Sequence, residues 1–471
     1  AQAMESRPQQ DVMKALQGAV PGLTILNSTG NIDATSSIKI RGTGSLSGST
    51  SPLIVVDGVA MDDISYLDPN DIKEISVMKD ASSSSIYGTR AAFGVILITT
   101  KGGTKRDKIQ IKYSNNFAWS QATLLPEMTD NVTQLEAMIQ AAKQLGPNEG
   151  EFFGQDYAAM LPYAKAWREQ NGGKRIDSYG ELRPYVDDNN VGDYYMTQTR
   201  LLSYADYDIN KIFINNAAPS NSHNVSIDGS TGKAVFNVMF GYAKRQNLLN
   251  FNPDQVHRYN AKADLQLNIY DWLTAGVRFS YNQRDVQTPN VGSNTFGTVW
   301  RFPGFYQMLG YRVYEEDGQA YDFRNEIAYL KQASPIHNTH AQTRMQAWVR
   351  AELLKGLTLN ADFTYTKHVS DSQYAYLPVT VYDNWFGPYM YPTEAVNQEA
   401  TTSSKSNAYS NRWTVNAYAS YALTVARDHN FKLMLGTNIE ENSYHEFNAR
   451  GKVLLDNNLP AMNLTTGDLV K

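Results

Sequence analysis

Long runs of strict apolar–polar alternation constrain this chain more than any other feature. Successive side chains on a strand point to opposite faces, so period two marks a strand with one apolar face. One set is Ile109, Ile111, Tyr113, Phe117 and Trp119, with Gln110, Lys112, Ser114 and Asn116 on the other face. Another runs Tyr259, Ala261, Ala263, Leu265, Leu267 and Ile269, against Lys262, Asp264, Gln266 and Asn268. Similar sets centre on Phe240, Val277, Val349, Ala361, Ala417 and Leu435, with a weaker one at Val225 and Ile227, making about nine strands. Each is roughly twice the five or six residues of an ordinary strand and suits a tilted membrane-spanning strand.

The spacing between sets carries further information. Short links fall at Thr231-Gly232-Lys233, Tyr270-Asp271, Lys355-Gly356 and near Arg427. Long links are expected at about 120–221, 283–341, 367–410 and 441–471, with a modest one near 244–256. Short turns on one side and long loops on the other are how outer-membrane barrels are built. Tyr113, Trp119, Tyr242, Tyr259, Trp272, Tyr281, Tyr365 and Trp413 fall near strand ends, as aromatic girdles do. A soluble sandwich or a soluble barrel with its apolar face inside are the competing readings.

Composition removes other classes. The 471 residues carry 42 Lys+Arg against 47 Asp+Glu, which disfavours a nucleic-acid binder. There is no cysteine, hence no disulfide, thiolate metal site or cysteine nucleophile. Aromatic residues at 11% and charged residues at 19% argue against disorder. The mean hydropathy is −0.45 and no run of about 18 apolar residues occurs, which argues against a helical span but not against a barrel. No HExxH, GxxxxGK[ST] or GxSxG motif occurs, and the seven histidines are scattered. No catalytic residue, metal site or cofactor is therefore expected.

Residues before Lys101 read differently, as a small α+β domain. Leu16-Gln17-Gly18 and Val20-Pro21-Gly22 lead to Ile40-Arg41-Gly42 and then to Pro52-Leu53-Ile54-Val55-Val56-Asp57-Gly58. Asn70-Asp71-Ile72, Val77-Met78-Lys79-Asp80-Ala81, Ile86-Tyr87-Gly88, Arg90-Ala91-Ala92 and Ile98-Thr99-Thr100-Lys101 follow in order. This series resembles the plug of the SusC/RagA branch of TonB-dependent outer-membrane receptors. The fold class expected is an α+β plug domain (1–106) followed by an antiparallel transmembrane β-barrel (107–471).

The resemblance implies a 22-stranded barrel occluded by the plug. It implies import of oligosaccharides or oligopeptides across the outer membrane of a Gram-negative bacterium of the Bacteroidetes. The implied partners are TonB-ExbB-ExbD, outer-membrane lipid and a SusD-like surface lipoprotein as lid, with a dimer of transporter–lipoprotein pairs compatible. Loops would be extracellular and the plug's N-terminus periplasmic. About nine strands cannot close without bare edges in lipid, so the sequence is expected to be part of a longer barrel. No TonB box is recognisable ahead of the plug motifs. The rival function is a non-transporting surface adhesin or structural barrel.

The resemblance also supplies candidate residues. Arg41 and Lys79 match basic plug positions that face acidic groups on the barrel wall, an electrostatic latch. Asn27, Ser28, Asn31, Ser45, Ser47, Ser49, Asp62 and Asp63 fall in segments whose family counterparts form the outward apex, and are candidate substrate contacts. Two loops are rich in aromatic residues, and from them Trp385 and Tyr389 are the candidates for stacking on substrate. The competing reading is that these rings pack the loops together. Neutralising Arg41 and Lys79 together is expected to speed amide exchange in the plug, and unchanged protection removes the latch. Trp385→Ala is expected to weaken substrate binding, and unchanged affinity removes Trp385 from the site.

Overall fold

The computed structural model describes residues 12–13, 18, 23–26, 32, 37–40, 51–61, 64, 67–79, 85–105, 108–145, 151–152, 155–196, 201–291, 308–313, 318–382, 392–394, 401–425 and 429–467.

The plug holds two small sheets. Strands β1 (Leu23–Leu26) and β2 (Ser37–Ile40) form an antiparallel pair. Strands β3 (Leu53–Val56), β4 (Val59–Met61), β5 (Ile72–Met78) and β6 (Val95–Thr100) form a mixed sheet in the order β4-β3-β6-β5. One core joins both sheets, built from Ile25, Ile38, Ile40, Val56, Ile64, Ile72, Ile96 and Ile98. The β3–β4 hairpin turns through Asp57 and Gly58, both at positive φ (50° and 88°). That is the two-residue turn whose twist matches paired strands, and it favours Asp-Gly.

Nine long strands follow, β7 (Gln110–Ser120), β8 (Ala218–Thr231), β9 (Ala234–Gln246), β10 (Gln255–Tyr270) and β11 (Leu273–Pro289), then β12 (Pro335–Leu354), β13 (Leu357–Tyr376), β14 (Thr402–Val425) and β15 (His429–Lys452). Each pairs antiparallel with its neighbours in chain order, in one nine-stranded sheet. The turns at Gly232-Lys233 and Lys355-Gly356 lie where the sequence places them, and the one expected at Tyr270-Asp271 sits one residue on, at Asp271-Trp272.

The sheet is inside out relative to a soluble barrel. Apolar members of the alternation point outward: Phe240 is 57% exposed and Val277 52%. Polar members point inward and are covered, with Gln342 at 1% and Asp264 at 6%. Apolar-out and polar-in is the lipid-facing pattern, which sets aside both soluble readings. Among the girdle residues, Tyr113, Trp119, Tyr259 and Trp272 are exposed, Tyr242 and Tyr259 lie 5.4 Å apart, and Tyr270 stacks on Trp272.

Two expectations change. First, the strands outrun their apolar stretches: β11 continues to Pro289, β12 starts at Pro335, β13 reaches Tyr376, β14 starts at Thr402 and β15 reaches Lys452. Alternation marks contact with lipid, whereas the hydrogen-bond ladder needs no apolar side chain and continues into water. Second, the stretch after β7 is not irregular loop. It holds α1 (Asn131–Leu145), α2 (Tyr157–Gln170) and α3 (Ile209–Phe213), and packs with α4 (Glu326–Gln332) on a common core that includes Tyr157, Met160, Trp167, Phe213, Phe323 and Ile327. Buried Asp193 ties this layer together, accepting from Trp167 Nε1 (2.8 Å) and Arg183 Nη2 (3.0 Å).

Placing a charge on the outward face tests the assignment. Val277→Arg is expected to cost about 2–4 kcal/mol in refolding into lipid bilayers, as midplane cations on barrels do. Gln266→Arg, on the luminal face of the neighbouring strand, should cost much less. Equal costs would place lipid on neither face.

Candidate functional site

The polar inner face of the sheet meets the plug. Five side chains of the wall reach plug backbone carbonyls. Arg344 Nη2 donates to Val56 O at 2.8 Å, Gln346 Nε2 to Asp57 O at 3.4 Å and Arg412 Nη1 to Ala60 O at 3.5 Å. These three carbonyls belong to the β3–β4 hairpin. Arg245 Nη2 donates to Ile32 O at 2.8 Å, and Ile32 itself seats between Val256 and Val286. A fifth wall side chain, Lys262, holds the end of β6, donating from Nζ to Thr100 Oγ1 at 2.7 Å and to Lys101 O.

Local sequence explains why these carbonyls are presented. The Asp57-Gly58 turn ends β3 and aims Val56 O and Asp57 O at the wall. The Asp57 carboxylate clasps Thr100, accepting from its backbone N at 2.9 Å and from its Oγ1 at 2.8 Å. The hairpin and the end of β6 are thus one unit, gripped from two sides. The chain then leaves the plug past Gly103, where a Cβ would stand 2.7 Å from the backbone N of Phe236. Only glycine allows that approach.

Between plug and wall lies a narrow cavity bounded by Asp57, Asp71, Thr100, Lys262, Arg278 and Arg344. Its charges are balanced: Arg278 pairs with buried Asp264 at 2.5 Å. Asp71 is buried on the plug side. Burial, reinforced by the charge of Asp68, pushes its carboxyl up to about 7, against the opposing pull of Lys262 and Lys101.

Among the described residues, the wall cations Arg245, Lys262, Arg344 and Arg412 donate to plug carbonyls, a contact of a different kind from the Arg41 and Lys79 latch that the resemblance implies. Arg90, in the Tyr-Gly-x-Arg motif, has the expected polarity: it pairs with Glu440 of β15 at 3.1 Å, and Glu440 also lies 3.7 Å from Arg412. Lys79 is half-buried and has a bonding partner. Arg41 and the candidate substrate contacts Asn27, Ser28, Asn31, Ser45, Ser47, Ser49, Asp62, Asp63, Trp385 and Tyr389 lie outside the described residues. Tyr382, near Trp385 in the chain, is buried and packs edge-on against Tyr321 at 5.6 Å, which is loop packing. The wall cations Lys262, Arg344 and Arg412 carried one sequence signal, their place on the polar face of alternating strands, but nothing there pointed to plug carbonyls.

Comparison with known proteins agrees with this architecture. Residues 1–95 match the family described as the TonB-dependent Receptor Plug Domain. TonB-dependent receptor P26 of Formosa agariphila is 26% identical over 347 residues, covering 73% of this chain and 29% of that receptor. SusC of Bacteroides thetaiotaomicron is 30% identical over 200 residues, covering 37% of this chain and 19% of SusC. The structure of the RagAB peptide importer in its closed-closed state superposes with a TM-score of 0.74 at 22% identity. The match covers 99% of this chain and 50% of that one. The chain is similar to SusC/RagA-type TonB-dependent receptors in its plug match, its relatives and its fold. Its plug is followed by nine antiparallel strands, like part of such a receptor's outer-membrane barrel, and it spans about half the length of the RagAB chain it matches.

Two outcomes test this plug–wall interface. Lys262→Met removes the donor to Thr100 and Lys101 and should destabilise plug docking by about 1.5–3 kcal/mol, the usual range for a hydrogen bond to a charged group. It should be read as faster amide exchange in β6, and unchanged exchange would mean that Lys262 does not hold the plug. The second outcome concerns pH. The folded structure raises the Asp71 pKa above its ordinary 3.8, so the folded state is favoured where Asp71 is protonated. The stability that Asp71 contributes to the fold should be fullest below about pH 4 and fall as the pH rises to about 7. Asp71→Asn should flatten that slope, and an unaltered slope would assign it to another group.

Proposed function

We propose that this chain forms the plug and part of the channel of a TonB-dependent importer, carrying oligosaccharides or oligopeptides across the outer membrane. The observation that carries this reading is the seat of the plug. A folded domain covers the polar face of a lipid-facing sheet and is held by hydrogen bonds to backbone carbonyls rather than by a continuous apolar core. Such contacts are each worth about 0.5–3 kcal/mol and are exchangeable with water, so the seat can be released and re-formed. Force to release it comes from TonB-ExbB-ExbD, acting on the plug's N-terminal side. In this reading the short turns face the periplasm and the long links face outward. The helical layer of α1 to α4 is then extracellular, where a SusD-like surface lipoprotein closes over it. The similarity to SusC and to the RagAB peptide importer supports the class and leaves glycan against peptide open. The residues perform no covalent chemistry in this scheme.

Uptake in intact cells is the test. Accumulation of substrate should stop when TonB is deleted or the proton gradient is collapsed, while surface binding persists. A lipoprotein should co-purify with the receptor. Uptake that continues without TonB would overturn the reading and favour a passive barrel or adhesin.

A further inference from the structure

The described contacts do not hold the plug evenly along this part of the wall. The closest ones fall on β9 to β11. The chain leaves the plug at Lys101 and runs across neighbouring strands toward β7. Gly102 passes Asp264 of β10, Gly103 presses on Val235 and Phe236 of β9, and Ile109 lies against Gly229 of β8. A Cβ on Gly103 would stand 2.7 Å from Val235 Cγ1 as well as from the Phe236 backbone, so this crossing has no slack. A second close approach lies further along β9. Gly241 leaves a notch between Asn224 and Asn260, and the carboxylate of Asp68 enters it, with Oδ2 3.0 Å from where a Cβ on Gly241 would be. Lys262 of β10 grips the end of β6 at 2.7 Å, Arg245 of β9 reaches Ile32 O at 2.8 Å, and Ile32 packs between Val256 of β10 and Val286 of β11.

Contacts on the later strands are longer or wetter. Arg344 of β12 still bonds Val56 O at 2.8 Å. Gln346 of β12 and Arg412 of β14 reach their carbonyls at 3.4 and 3.5 Å, longer than an ordinary N–H···O bond. On β15 the contact is the Arg90–Glu440 ion pair, in which the Arg90 side chain is half exposed. Exposed ion pairs hold little.

Topology adds to this gradient. The C-terminal end of the plug is tied covalently to β7 through residues 102–109 and is wedged on β9. A pull from the N-terminal side therefore turns the plug about that point rather than drawing it straight out. Displacement grows with distance from the pivot. Neighbouring strands lie about 4.8 Å apart, so β14 is about 24 Å from β9 along the sheet. A turn of about 10° moves a contact at that distance by about 4 Å, and one on β10 by less than about 1 Å. The larger shift breaks a hydrogen bond and the smaller one does not.

We propose that the plug is hinged on β9 and β10 and swings away from β13 to β15, so that the import path on this part of the wall runs along those last strands. The inference rests on the import reading above and adds the direction in which the plug moves. The rival is a plug that lifts out of the wall as one body.

Thiol tethers in the full receptor separate the two. The chain has no cysteine, so introduced pairs are the sole thiols of the plug and of this part of the wall. Asp68→Cys with Gly241→Cys ties the pivot side, and Arg90→Cys with Glu440→Cys ties the far side. Each pair is bridged by a reducible two-armed thiol reagent of matched length. In lipid nanodiscs the plug is pulled from its N-terminal end by force spectroscopy. In cells, TonB-dependent uptake of a tagged partial starch hydrolysate and of a tagged tryptic digest is followed. The pivot tether should leave the first release event and the uptake intact. The far tether should abolish both, and reducing it should restore both, which separates the tether from the substitutions. A pivot tether that blocks release means that the plug leaves as one body and overturns the hinge. A far tether that leaves release unchanged overturns it too. Far-side release under force, with uptake of neither probe by the unmodified receptor, counts against import and leaves the hinge standing.

Discussion

Backbone hydrogen bonding in a medium without water governs the rest of this structure. A strand in lipid must find a partner for every N–H and C=O, so it pairs with its neighbours along its whole length. Pairing fixes the register, and the register sends every second side chain to the opposite face. Once the outward set is apolar, the inward set is free to be polar, and here it is. That polar inner wall is what allows a second, independently cored domain to sit against it. An apolar wall would have fused with the plug into one core and left nothing to release.

The plug's grip follows from the same geometry. Lys262, Arg344 and Arg412 come from three separate strands, yet their registers bring them to one level. They meet a hairpin and a strand end that Asp57 has already tied together through Thr100. The interface is therefore assembled from two rigid parts, and its charges are kept in balance by the Arg278–Asp264 pair. The girdle tyrosines and tryptophans play the matching part outside, fixing where the sheet sits in the bilayer.

Much of this was legible in the sequence, for a definite reason. The nine strands announced themselves because contact with lipid writes a period of two. The short turns followed from where that period broke, at Gly232, Asp271 and Gly356. The Asp57-Gly58 turn was legible from its own chemistry. Strand ends above the membrane were not, since residues such as Ser372 or Ser406 pair without any apolar signal. The helical layer was passed over although Tyr157, Met160, Leu161, Ala164 and Trp167 carry a helical period, because the spacing of the barrel strands made the stretch read as a loop. The wall cations were visible as polar-face residues. Their partners were not, because a carbonyl has no letter of its own in the sequence.

That last point has a consequence for how such a plug can vary. Wall donors that grip carbonyls read the path of the backbone and are blind to most plug side chains. Substitutions on the plug that preserve the Asp57-Gly58 turn and the clasp on Thr100 leave those carbonyls where they are. The rest of the plug surface is then free to vary without loosening its seat. Retention is written in the path of the plug's backbone, and most of its side chains are left to other uses.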